Sequence, residues 1–367
     1  MKKINIGIIG TGVGIRTHLK GFRNFTDEAE VIAISGSSID RSREFAEKYD
    51  IPVACADYRE LCDIDSLDLV CITAPNKFHK EMLKYAISKH LNIICEKPIV
   101  DSITDLDEIM QLAKGYDKIL IIDHQLRFNP YIAKIKSMIS NGDLGKIYNV
   151  RLNQQGMGFA NIDAPWSWSF DGAEGGGVRL AMASHFTDLI SYWFNEREIL
   201  DVVASMNPIT KQRKNSYGIE TEVEASTTCN AFIRLKNELT VQYAINAGAY
   251  SGSRFDIDIF GDEGEIHFDL QNKLCIYHRE NTGVRKIIEI NDVYEDEKQN
   301  KVSIFSGSFR YLVPLLLKAV RENDVAPIKN AATPNSYYYC LRILEAIKES
   351  ANNSMIVSFG KEPNQYV

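Results

Sequence analysis

The run INIGII at residues 4–9 passes without a break into GTGVG at 10–14, and a helical pattern starts directly behind it. An apolar strand feeding a glycine-rich turn and then a helix is the opening of a βαβ unit, and it constrains the fold more than any other feature of the chain. Four more short apolar runs follow, at 30–35, 68–73, 91–95 and 118–122. They are near-continuous rather than alternating, as in strands covered on both faces. Helical segments at 15–24, 40–49, 77–90 and 102–115 separate them. This alternation predicts an α/β fold: a doubly wound parallel sheet of Rossmann type whose ligands bind beyond the carboxyl ends of the strands.

Past residue 124 the pattern changes. Strand-like runs with period-two alternation appear at 146–155, 199–206, 223–235, 239–247, 254–260, 264–269, 273–278 and 285–290, with helices expected at 130–140, 178–194, 307–321 and 335–350. The expected organisation is a dinucleotide-binding domain over 1–124 and an α+β domain over 125–367. The second is built on a large, mostly antiparallel open sheet, and its C-terminal helices could pack back on the first. A broad open sheet face suits self-association, as a homodimer or homotetramer. The segment 207–218 (NPITKQRKNSYG) reads as a polar, mobile loop.

Composition removes several classes of function. A net charge of −7 argues against a nucleic-acid partner, which calls for a basic field. Seven cysteines, an odd number without a CxxC pair, read as small buried hydrophobes in a reducing compartment. No stretch approaches the ~20 apolar residues of a membrane helix, and the start MKKINIGIIG is too short in its apolar part for a signal peptide. A cytoplasmic protein with no membrane partner is expected. The seven histidines show no metal-ligand spacing, so no metal is expected.

The turn Gly10-Thr11-Gly12-Val13-Gly14 is the candidate pyrophosphate cradle, with Gly10 for the tight turn and Gly12 for close approach of the ligand. At the end of the second strand an NAD-specific site carries a carboxylate for the ribose, but here the chain reads Ser35-Gly36-Ser37-Ser38 with Arg41 beyond. Ser37 and Arg41 could take a 2′-phosphate, which leans the cofactor from NAD towards NADP with use of both left open. Equally, these residues could simply start the next helix. Strand 91–95 ends in Glu96-Lys97-Pro98, a charged pair facing the ligand side. One strand earlier Thr73, Pro75, Asn76 and His79 make another polar strand end, where Asn76 also suits a helix cap.

Together, GTGVGIRTH (10–18), TAPNKFH (73–79), CEKPI (95–99), RFNP (127–130), and GGG with SHFTD (175–177, 184–188) make the chain resemble the Gfo/Idh/MocA family of nicotinamide-dependent oxidoreductases along essentially its whole length. The resemblance implies hydride exchange with sugars, cyclitols or related polyols. It also implies dimers or tetramers formed through the second-domain sheet. By position, it assigns Gly10, Thr11, Gly12 and Val13 to the pyrophosphate loop. Thr73, Pro75 and Asn76 fall to the nicotinamide side, Glu96 to a cofactor contact and Lys97 to the catalytic lysine. His185 matches the histidine of the family's helix motif. The family's aspartate four residues before that histidine is replaced by Ala181, and its glycine two before by Ala183.

On a helix over 178–194 Met182, Phe186, Leu189, Ile190 and Trp193 form the apolar face, with Ala181, His185, Asp188 and Tyr192 on the stripe beside it. His185 is then a second catalytic candidate and Asp188 its partner, or else a core histidine beside a surface acid. Lys97 and His185 could exchange the hydroxyl proton between them. For a carbohydrate-like substrate, Trp166 and Trp168 offer stacking surfaces or core anchors, Arg127 could bind a substrate carboxylate or tie the two domains together, and Asn129 is a further substrate candidate. Two further readings remain. One is elimination, epimerisation or glycoside cleavage assisted by transient oxidation, with no net redox change. The other is a non-catalytic regulatory protein that senses the cofactor, a reading kept alive by Ala181.

Overall fold

The structure is a computed structural model that describes residues 2–172, 175–195, 198–270, 273–290 and 303–360. The chain divides into two units, 1–129 with 292–338, and 130–291 with 339–367.

The first unit holds six strands: β1 (Ile4–Ile9), β2 (Ala29–Ser35), β3 (Val53–Cys55), β4 (Leu69–Ile72), β5 (Asn92–Glu96) and β6 (Leu120–Asp123). They form one parallel sheet in the order β3-β2-β1-β4-β5-β6. Every residue of β4 and β5 is buried, which is why these strands read as unbroken apolar runs. The order reverses between β1 and β4, so the loops after these two strands border the crevice where such sheets take ligands. Two elements were not foreseen, the three-residue β3 and the helix Tyr58–Cys62. The helix Ile304–Glu322 joins this unit rather than the second. Phe309, Leu312, Val313 and Leu316 share a core with Ile6, Ile8, Leu19 and Phe22.

The second unit carries a nine-stranded sheet of β7 (Ile147–Gln155), β8 (Ile199–Asn207), β11 (Thr228–Leu235), β12 (Leu239–Asn246), β13 (Arg254–Gly261), β14 (Gly264–Asp269), β15 (Lys273–His278), β16 (Lys286–Ile287) and β17 (Val357–Ser358). The order is β16-β15-β14-β13-β7-β12-β11-β8-β17, antiparallel except for the β7–β12 pair. β11 shows why one face is covered: Cys229, Ala231, Ile233 and Leu235 point inward and Asn230, Phe232 and Arg234 outward. The helix Ser184–Phe194 packs on the covered face, with Phe186 5.6 Å from the Tyr243 ring and 5.7 Å from the Phe255 ring.

The segment 207–218 is not a free loop. Gln212–Lys214 (β9) pairs with Glu220–Glu222 (β10), and Arg213 is buried. Its guanidinium lies 4.1 Å from the Phe170 ring and donates to the carbonyls of Phe159, Asn161 and Ala164. Among the described residues no helix is long and apolar enough to cross a membrane.

Candidate active site

The glycine turn is built by steric necessity. Gly10 has φ +112°, and a β-carbon there would meet the Thr73 carbonyl oxygen at 2.6 Å. One on Gly14 would lie 2.6 Å from Ile8 Cγ2. One on Gly12 would meet nothing within 4 Å. Gly10 and Gly14 therefore let β1 and β4 close together, whereas Gly12 leaves open space, as a bound pyrophosphate requires. The helical segment Gly14–Leu19 follows, and the first amides of such a segment have no partners within it. This donor set fits a dinucleotide phosphate.

Around the turn, the expected cofactor contacts separate into two groups. Thr73 is buried and its hydroxyl donates to the Ile9 carbonyl at 2.7 Å, while Pro75 is exposed and Asn76 half-buried. Asn76 does not cap the helix that follows; neither the turn Asn76–Phe78 nor the helix His79–Ser88 has a side-chain cap bond. Glu96 and His79, by contrast, have their polar atoms engaged by the protein. His79 is buried, with Nδ1 2.9 Å from the Pro98 carbonyl and Nε2 2.8 Å from that of Ala74. Burial holds its proton affinity below the usual histidine range although both carbonyls draw it up, so a neutral ring donates to one of them at a time. It braces the end of β4 against the segment after β5.

Glu96 is also buried, with Oε1 3.3 Å from His18 Nε2 and Oε2 accepting from the Lys97 amide at 3.2 Å. Lys97 is half-buried. Burial lowers its proton affinity, and the charges of Glu96 and Asp123 oppose the fall. A lysine so tuned at a strand end can exchange a proton with a bound hydroxyl.

At the end of β2, Ser38 caps the helix Ile39–Lys48 by accepting from the Arg41 amide at 3.2 Å. Ser37 is exposed. The Arg41 guanidinium lies 4.3 Å over the Phe45 ring and pairs with Glu44 at 2.9 Å. No carboxylate occupies 35–38.

In the second unit the three glycines are again structural. Gly175 and Gly177 have φ +80° and +87°, and a β-carbon on Gly176 would lie 2.5 Å from the Ser169 carbonyl oxygen. They deliver the chain into a wide-wound segment, Arg179–Ala183, and then the helix Ser184–Phe194, every residue of which is buried. His185 and Asp188 are both buried, so the surface-acid reading of Asp188 fails. Ala181 is exposed one turn before His185.

The substrate candidates change most. Arg127 and Asn129 are buried and tied within the first unit, Arg127 Nη1 to the Asn330 carbonyl at 3.2 Å and Asn129 Nδ2 to Ser308 Oγ at 3.1 Å. Each thus makes a hydrogen bond inside the first unit. Trp166 donates from Nε1 to the Glu222 carbonyl at 2.9 Å, while Trp168 is 51% exposed. Sequence reasoning gave no role to His18, Asp123 or Arg213. The available signals were a histidine inside the helix behind the glycine turn, acids ending two neighbouring strands, and a lone arginine in a polar hairpin.

Two family models match the chain: the oxidoreductase family with NAD-binding Rossmann fold over residues 4–124, and the C-terminal domain of the same family over 132–267. An oxidoreductase of Synechocystis sp. is 24% identical over 269 residues, 72% of this chain and 71% of its own length. The myo-inositol 2-dehydrogenase of Thermotoga maritima is 26% identical over 267 residues, 72% of this chain and 75% of its own length. The solved structure of levoglucosan dehydrogenase in complex with NADH and levoglucosan has the same fold, with a TM-score of 0.84 at 20% identity over 97% of this chain and 99% of that one. The chain belongs to the Gfo/Idh/MocA family of oxidoreductases.

Proposed function

We propose that the protein is an NAD(P)-dependent dehydrogenase that interconverts a secondary alcohol and a ketone on a sugar, cyclitol or related polyol. One observation carries the reading. At the strand-order reversal a glycine turn is closed at Gly10 and Gly14 and open at Gly12, and Lys97 stands at the end of the next strand beyond β4. The relatives that act on myo-inositol and levoglucosan support the substrate class.

The nicotinamide supplies a hydride acceptor or donor when bound. The chain's own residues do the rest. Thr11, Gly12 and Val13 would hold the pyrophosphate at the helix start, and Thr73, Pro75 and Asn76 would line the nicotinamide side. Lys97 takes the hydroxyl proton in one direction and returns it in the other. His185 is a second proton-exchanging group, with Asp188 as its orienting acid. Trp168 offers a stacking face to the sugar ring. Glu96 braces the Lys97 amide, and His79 braces the end of β4.

NADP is favoured over NAD by Ser37, by Arg41 and by the missing carboxylate. The Arg41–Glu44 pair is exposed and worth no more than about 1 kcal/mol, so a 2′-phosphate can displace Glu44 at small cost. The outer face of the nine-stranded sheet supports self-association, since Val203 and Phe232, paired across β8 and β11, are both exposed.

A panel of sugars and cyclitols, each with NAD and NADP and followed by reduced-nicotinamide absorbance, tests the reading. Turnover is expected with at least one polyol, and Lys97→Met should lose about 10²–10⁴-fold in kcat with nucleotide binding retained. Parent-like turnover of that variant would remove Lys97 from the mechanism. Consumption of a polyol with no net change in absorbance would favour transient oxidation instead.

A further inference from the structure

His18, Glu96 and Asp123 bring three titratable groups together inside the first unit. Glu96 and Asp123 end β5 and β6 and are register partners, so their carboxylates stand side by side. His18 lies on the helical segment behind the glycine turn, and its Nε2 is 3.1 Å from Asp123 Oδ2 and 3.3 Å from Glu96 Oε1. None of the three is appreciably exposed. Nε2 faces both carboxylates, so a proton must lie between them, and the raised proton affinity of His18 places it on the imidazole. The other groups facing His18 are the Cys71 thiol and the uncharged rings of Phe22 and Phe309, the latter 4.4 Å away. Lys97 also acts on both acids, and His79 lies near Glu96 alone.

We propose that His18 and Asp123 are positioning residues for the reaction assigned above: with Glu96 they form a buried ion triad that fixes the strand end carrying Lys97 and sets the negative field at its ammonium. The proposal rests on that assignment for its meaning but not for its test. Glu96 transmits the effect directly, one oxygen on His18 and the other on the Lys97 amide. The same imidazole belongs to the segment that leaves the glycine turn, so the cradle and the lysine share one support.

The electrostatics agree with this arrangement. Burial pushes His18 down, but the Asp123, Cys71 and Glu96 groups beside it carry it well above the usual histidine range. The two acids split as a close pair must: burial and the Glu96 charge raise Asp123, while His18 and Lys97 outweigh burial and lower Glu96. The three donor atoms lie within 4.8 Å of one another, a spacing a metal ion could bridge. Two acids already matched by two cations, His18 and Lys97, leave no charge for it to balance.

The test is the pH dependence of Lys97 acetylation, read by mass spectrometry on the full chain and independent of turnover. Asp123→Asn should lower the midpoint for Lys97 by about one unit, because one anion supporting its ammonium is gone. Glu96→Gln should lower it too, and serves if Asp123→Asn folds poorly. The kcat–pH limb of the active Asp123→Asn enzyme should move by the same amount. An unmoved midpoint in both variants, with only thermal stability reduced, would make the triad merely structural and overturn the proposal. Stoichiometric metal in the purified protein would overturn it as well. If no polyol is turned over while the midpoints shift, the functional assignment fails and the triad stands.

Discussion

Thr73 and Gly10 are packed so tightly that a β-carbon on Gly10 would lie 2.6 Å from the Thr73 carbonyl oxygen, and the Thr73 hydroxyl is bonded to the neighbouring Ile9 carbonyl. The crevice edge is thus a rigid seam between β1 and β4, while Gly12, two residues on, faces open space.

The seam and the open position should respond differently to the same substitution. Gly10→Ala combines a disfavoured φ with a backbone clash and should cost about 3 kcal/mol of stability. Gly12→Ala should leave the thermal midpoint nearly unchanged and weaken nucleotide binding about tenfold or more. Thermal melts beside fluorescence titrations with the dinucleotide separate the two, and equal losses of stability would refute the distinction.

His18→Gln should show a penalty that depends on pH. The raised proton affinity of His18 contributes stability that is complete below 6.5, its unfolded value, and is lost only as pH rises through the raised value. Without the imidazole the proton passes to a carboxylate. At about pH 5 a carboxylate holds it and the deficit is small, whereas by about pH 7 two bare anions face each other and the deficit approaches about 3 kcal/mol. Denaturant unfolding across this window checks the sign; a deficit that shrinks with rising pH would contradict it.

Arg213→Met removes the donor for three carbonyls of the 159–164 turn. A loss of about 3 kcal/mol is expected. Limited proteolysis should find new cleavage at 159–168 before global unfolding sets in.

Arg41→Ala should weaken NADP binding about tenfold and leave NAD within about twofold, since its guanidinium is the only cation of the 35–41 segment. Calorimetric titration with both nucleotides decides, and an equal effect on the two would remove the 2′-phosphate role.

Both sheets were legible in the sequence because burial writes directly into hydrophobic patterning, as in LVCI of β4 and the alternation of β11. β3 escaped because three residues beginning with an exposed Val53 carry no pattern. The β9–β10 hairpin escaped because its one buried side chain is an arginine satisfied by carbonyls from a distant turn. The strand ends that carry the candidate residues were legible, but where each polar atom finds its partner depends on neighbours far away in sequence. Glu96 is held by His18, 78 residues away, and Arg127 by Asn330, 203 residues away. Position in a motif cannot show such partners.

Hydride transfer itself is the central claim, and a polyol deuterated at its reacting carbon tests it most directly. With wild-type protein, the account predicts deuterium on the nicotinamide ring of the recovered cofactor, and a rate lowered by about 10²–10⁴-fold in Lys97→Met. Recovered cofactor free of deuterium, with the polyol consumed, would contradict net hydride transfer to the nicotinamide.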